Sequence, residues 1–139
     1  MGLDNGIRLK SKTRIDFPDY IQIDGQDFSD EHDGFPFTYD ICYWRKCRNV
    51  RSAIFDIIDR DKDDDNQYVF DVTADDCRKI AEVFIEYLKN PESWDDENLS
   101  IWTFDEYKNH IADDIINLSW LSKVLCENNK CYAEFYDSY

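Results

Sequence analysis

Two short stretches of the chain hold residue types suited to gripping an anion. Arg8, Lys10, Lys12 and Arg14 recur at every second position, and Arg45, Lys46, Arg48 and Arg51 follow directly after Tyr43-Trp44. Guanidinium groups hold phosphate through paired N–H donors, and an aromatic face accepts a nucleobase by stacking. The two together are what a nucleotide-like ligand requires, so the candidate ligand-binding set is Arg8, Lys10, Lys12, Tyr43, Trp44, Arg45 and Arg48. Each feature also has a plainer reading. The alternating cations can pair with acids of the same chain. Trp44 falls on an apolar stripe, which would make Arg45, Lys46 and Arg48 its solvated side.

These cations stand out because the chain as a whole is acidic. Its 139 residues carry 31 Asp+Glu against 16 Lys+Arg, a formal net charge of −15. From residue 52 onward there are 22 acids and 8 bases. Gathering cations within such a chain gains little unless something anionic, or its own acidic half, lies against them. Aromatic residues make up 16% of the sequence, with only four Gly and three Pro, which points to a packed core rather than low-complexity disorder. One domain over residues 1–139 is the expectation for this length. With a mean hydropathy of −0.68 and no long apolar run, no membrane span is expected. No signal-peptide pattern is legible, and the cytoplasm of a host cell is the expected location.

Signatures of catalysis and of metal binding are thin. There is no G-x-S-x-G, P-loop or H-E-x-x-H pattern, and only His32 and His110 are available as histidines. His110 precedes an apolar position of a helical stripe and reads as a surface or packing histidine. No catalytic residue is assigned, and a non-enzymatic protein is expected. Five cysteines (42, 47, 77, 126 and 131) are an odd set, which argues against a closed disulfide framework. Their two C-x4-C pairs would be about 140° apart around a helix, so buried reduced thiols are a better reading than zinc. Alternating Asp59, Asp61, Asp63 and Asp65 suggest a calcium loop, but neither register supplies the required Gly or closing Glu. No metal and no cofactor are expected.

The elements that must position these groups follow from periodicity. Residues 5–14 alternate as a half-exposed strand, with Ile7, Leu9, Ser11 and Thr13 on one face and the four cations on the other. Residues 16–38 are loop-like, with a short strand at Tyr20–Asp24, and their acids Asp24, Asp27, Asp30, Glu31 and Asp33 could fold back over the basic strand. A first helix over residues 39–58 follows from Ile41, Trp44, Cys47, Arg51, Ile54 and Ile58 at spacings of three and four. Gln67–Val72 reads as a strand. Thr73-x-x-Asp76 resembles a capping box opening a second helix, with Cys77, Ile80, Ala81, Phe84 and Leu88 inward and Asn90-Pro91 as its stop. A third helix at 103–127 carries one stripe at Phe104, Tyr107, Ile111, Ile115, Leu118, Ser122 and Leu125. A second stripe, at Ile116, Trp120 and Val124, places it centrally or at a homo-oligomer interface. Lys130–Asp137 closes the chain as a strand. The fold class is α+β: three helices packed on one face of a small, mostly antiparallel sheet, with the N- and C-terminal strands adjacent.

Three segments carry a family resemblance. Met1-Gly2-Leu3-Asp4, Tyr43-Trp44-Arg45-Lys46 and Phe135-Tyr136-Asp137-Ser138-Tyr139 resemble a family of small phage and prophage proteins. That family begins M-G-L-D, carries Y-W-R-K in its first helix and ends in an aromatic, Ser-rich strand. Arg51 and Ala53 stand where the family often has His and Trp, and Ile101-Trp102-Thr103-Phe104 replaces its Gly/Phe-rich segment. The resemblance implies no reaction, only a setting: an accessory protein of a phage or mobile element. Two functions fit. The first is sequestration of a small anionic ligand, such as a nucleotide signal of antiviral defence. The alternative is an acidic nucleic-acid mimic that inhibits a host nucleic-acid-binding defence enzyme, in the manner of an anti-CRISPR, by occupying its cationic channel. Direct binding to DNA or RNA is disfavoured by the global charge.

Overall fold

A computed structural model describes residues 4–23, 25–28, 34–58, 69–94 and 103–138, with backbone alone for 25–28 and 138. Five strands form one antiparallel sheet: β1 (Asp4–Ser11), β2 (Gly25–Phe28), β3 (Phe37–Arg45), β4 (Val69–Val72) and β5 (Cys131–Ser138), in the order β2-β3-β1-β5-β4. Helices α1 (Arg48–Ile58), α2 (Ala74–Lys89) and α3 (Phe104–Glu127) complete an α+β fold. The first and last strands pair along their whole length, Asp4 opposite Ser138 through Ser11 opposite Cys131. Neither is left as an unpaired edge.

Alternation fixes which face of β1 is buried. Ile7, Leu9 and Ser11 are fully enclosed, whereas Arg8 and Lys10 are half-buried on the other face. The enclosed face continues through Ile41, Trp44, Phe70, Val72, Ala133 and Phe135, and all three helices lie against it. Phe55 of α1 meets Phe70 and Phe135 edge-on, and Trp44 meets Phe84 of α2 in the same way. Each such buried side chain contributes on the order of 1.5–3 kcal/mol. Arg51, on the sheet side of α1, grips Asp137 of β5 through Nε and Nη2 at 2.9–3.1 Å, and Asn5 donates to the same carboxylate at 3.0 Å. Bidentate geometry and a third donor make this ion pair a specific tie between helix and sheet.

Capping boxes start both long helices. The Thr73 hydroxyl accepts from the Asp76 amide and the Asp76 carboxylate accepts from the Thr73 amide, both at 3.1 Å. Thr103 and Glu106 repeat the arrangement at α3. Asn90-Pro91 ends α2 as expected, since Pro91 cannot continue the ladder.

Several expectations are corrected. Residues 39–45 belong to β3, not to a helix; α1 begins only at Arg48, after a turn in which Lys46 takes a positive φ of 53°. The cause is a bulge. Ile7 faces Cys42 and Arg8 faces Asp40, leaving Ile41 as an extra residue, so two consecutive side chains are buried and period two becomes spacing three. Residues 20–23 are not a strand; β2 begins at Gly25. On α2, Tyr87 takes the inward place expected of Leu88, which is exposed. Ile116 of α3 is exposed, and Asp114 and Asn117 are buried instead. Of the cysteines, 42, 47 and 77 are buried and reduced, but Cys126 is exposed. The acidic run 59–65, and Asp24, Asp30, Glu31 and Asp33, lie outside the described residues, as does the side chain of Asp27. No helix among the described residues is long and apolar enough to cross a membrane.

Candidate functional site

The face of the sheet turned away from the helices gathers most of the candidate binding residues. In register across β3, β1 and β5 stand Arg45, Asp4 and Ser138; then Tyr43, Gly6 and Tyr136; then Asp40, Arg8 and Glu134; then Thr38, Lys10 and Tyr132. Among the described residues no helix packs on this face, and the side chains of Arg8, Lys10, Tyr43, Tyr132 and Tyr136 are half-buried. Gly6 is needed here for space. A Cβ at this position would come within 2.5 Å of the Cys42 carbonyl oxygen and 2.6 Å of the Tyr136 hydroxyl, so the Tyr136 ring occupies the room a side chain would take.

Arg8 sits at the centre of this face. Its guanidinium lies 4.0 Å from the centre of the Tyr136 ring, and its ion pair with Glu134 is long, 3.9 Å. That distance neutralises charge without forming a hydrogen bond. Burial pushes the Tyr136 hydroxyl up to about 12, with Asp40 raising it further and Arg8 opposing, so the phenol stays neutral and can donate. Beyond the strand end, Lys12 Nζ lies 5.2 Å over the Phe35 ring, and Phe35 meets Tyr132 edge-on at 4.7 Å. Tyr43 donates to Asp4 at 3.0 Å. The result is a row of tyrosines threaded by cations, with acids between them.

The candidate set is therefore divided. Arg8, Lys10, Tyr43 and Arg45 share the sheet face turned away from the helices, and Lys12 adjoins it. Trp44 is fully buried on the helix side and offers no ring face to a ligand, and Arg48 opens α1 in the helix layer. Strand alternation sends Tyr43 and Trp44 to opposite faces, so the aromatic pair expected at one site is split between the two sides of the sheet. Neither of the two hollows described for the protein is lined by a member of the set.

Sequence reasoning passed over a second site. A polar hollow of about 310 Å³ lies on the helix side, lined by Tyr20, Gln22, Ile23, His110, Asp113, Asp114, Ile116 and Asn117. Its floor is a chain of hydrogen bonds. The Trp44 indole N–H donates to Asp114 Oδ2 at 2.7 Å, and His110 Nδ1 lies 3.0 Å from the same oxygen. Tyr107 stacks on the His110 ring at 4.6 Å, holding its orientation. Burial raises the Asp114 pKa above the usual carboxylate value, while the bonds from His110 and Trp44 oppose the rise. Asn117 donates to the Gln22 and Ile41 carbonyls at 3.1 and 3.0 Å, tying α3 to β3 and to the loop ahead of β2. The available signal was spacing: His110, Asp114 and Asn117 recur at four and three along α3, beside a stripe that otherwise reads as apolar.

No family model, curated protein or solved structure matches the chain.

Proposed function

We propose that this is a non-enzymatic accessory protein that binds and sequesters a small anionic, nucleotide-like ligand on the sheet face turned away from the helices. The carrying observation is the Arg8 guanidinium, 4.0 Å from the centre of the Tyr136 ring and only loosely engaged by Glu134, in a row with Tyr43, Lys10 and Tyr132. A phosphate would take the Arg8 guanidinium fork, and a base would lie against a tyrosine ring; stacking of this kind contributes roughly 1–3 kcal/mol per base. The proposal of a phage or mobile-element setting, with counter-defence as the role and the host cytoplasm as the place, rests on the resemblance of the terminal and Y-W-R-K segments. The nucleic-acid-mimic reading draws less support from the described surface. On α2, Asp75 and Glu82 are held by Arg78 and Lys79 within one helix, so they do not form a bare acidic row.

Titration calorimetry with mono-, di- and cyclic nucleotides tests the reading. A binding member of the panel is expected to lose at least tenfold in affinity in Arg8→Ala and less in Arg48→Ala. Folded protein that gives no heat with any member refutes it.

A further inference from the structure

We propose that the hollow between α3 and the Tyr20–Ile23 segment binds a compact organic cation rich in N–H donors, of the guanidinium or primary ammonium class. This site is separate from the sheet face and stands or falls on its own. At about 310 Å³ the hollow is at the small end of the range occupied by small-molecule sites. Its polar lining is acceptor-rich for a reason that lies in the framework. Asp114 and Asn117 are more than nine-tenths buried, at 3% and 7% exposure. Asp114 uses Oδ2 for both Trp44 and His110, and Asn117 uses its amide nitrogen for two backbone carbonyls. The hydrogen bonds of these two side chains run through Asp114 Oδ2 and Asn117 Nδ2, and neither Oδ1 atom is among the enclosed polar atoms that lack a partner, so both oxygens stay accessible as acceptors.

Acceptors held in fixed positions on the wall of a hollow suit a ligand rich in N–H donors. Asp113 adds a second carboxylate to the wall, so an anion is repelled and a cation favoured. A planar guanidinium presents paired N–H donors at the spacing of a carboxylate, and can meet Asp113 while reaching Asp114 and Asn117. Tyr20 lines the same hollow and is 66% exposed, leaving its ring available to close over a bound cation.

Agmatine, which has a guanidinium at one end and an ammonium at the other, is a suitable probe. Nuclear magnetic resonance titration is expected to show saturable one-to-one binding, with shift changes confined to Tyr20–Ile23 and His110–Asn117. Affinity should fall at least tenfold in Asp113→Asn and in Tyr20→Ala, both surface changes compatible with folding, and should be unchanged in Asp75→Asn on α2. Absence of saturable binding overturns the proposal. So does equal binding by Asp113→Asn, or a response spread over exposed acids throughout the protein.

Discussion

Replacing Gly6 by Ala probes how the sheet face turned away from the helices is built. The added methyl would meet the Cys42 carbonyl oxygen at 2.5 Å and the Tyr136 hydroxyl and Cε1 at 2.6 and 2.7 Å. The tyrosine can swing away at the loss of its contact with Arg8, but the carbonyl belongs to a central strand and cannot. Overpacking of this kind costs about 1–3 kcal/mol, and a backbone clash belongs at the upper end. For a domain of this size that lowers Tm by roughly 10 °C. Thermal unfolding followed by circular dichroism on Gly6→Ala, Tyr136→Ala and the double variant separates the two contributions. With the ring gone, the Gly6→Ala penalty should shrink by roughly 1 kcal/mol, the coupling expected of residues in contact, but not vanish. A Gly6→Ala protein as stable as wild type, or an undiminished penalty without the ring, would refute the placement of Tyr136 across Gly6.

Other outcomes follow from the framework. Thr73→Ala and Thr103→Ala each remove a cap and should destabilise by about 1 kcal/mol in urea unfolding, with no change in the fold. Native alkylation should label Cys126 first; Cys42, Cys47 and Cys77 should react only on unfolding, the last also because burial pushes its thiol up to about 12. Because burial raises Asp114 above its free value of 3.8, the folded protein holds that proton more tightly than the unfolded chain. Its contribution is therefore most favourable at low pH and is lost as pH rises through the raised value. The difference in Tm between wild type and Asp114→Asn should decrease over that window; a difference that grows with pH would contradict the assignment.

Much of this architecture is legible where one residue pattern allows one answer. Alternation in β1, the Thr73 cap, the Asn90-Pro91 stop and the long apolar rhythm of α3 each point to the element that forms. Pairing of the terminal strands follows from the need to leave no bare edge. Residues 39–45 mislead because the bulge at Ile41 spaces Ile41 and Trp44 by three, which is also the mark of a helix. Composition held the corrective signal, since Phe37-Thr38-Tyr39 and Ile41-Cys42-Tyr43-Trp44 are rich in aromatic and β-branched side chains. That single misreading put Trp44 beside Tyr43 on one surface, when a strand must send them apart. Four of the seven candidate residues, Arg8, Lys10, Tyr43 and Arg45, nevertheless share one face of the sheet. Tyr132 and Tyr136 were not legible, because only the register of β5 against β1 brings them to that face. Asp114 and Asn117 hide within an apolar stripe for a similar reason: their partners, Trp44 and Ile41, are distant in sequence.

The most direct test of the sheet face turned away from the helices as a binding surface is a nuclear magnetic resonance titration of the intact protein with the tightest-binding nucleotide of the calorimetric panel. Shift changes are expected along β1, β3 and β5 at Arg8, Lys10, Tyr43, Tyr132 and Tyr136, and should be abolished in Arg8→Ala. Saturable binding that perturbs only the helix layer, or that survives Arg8→Ala undiminished, would contradict the account.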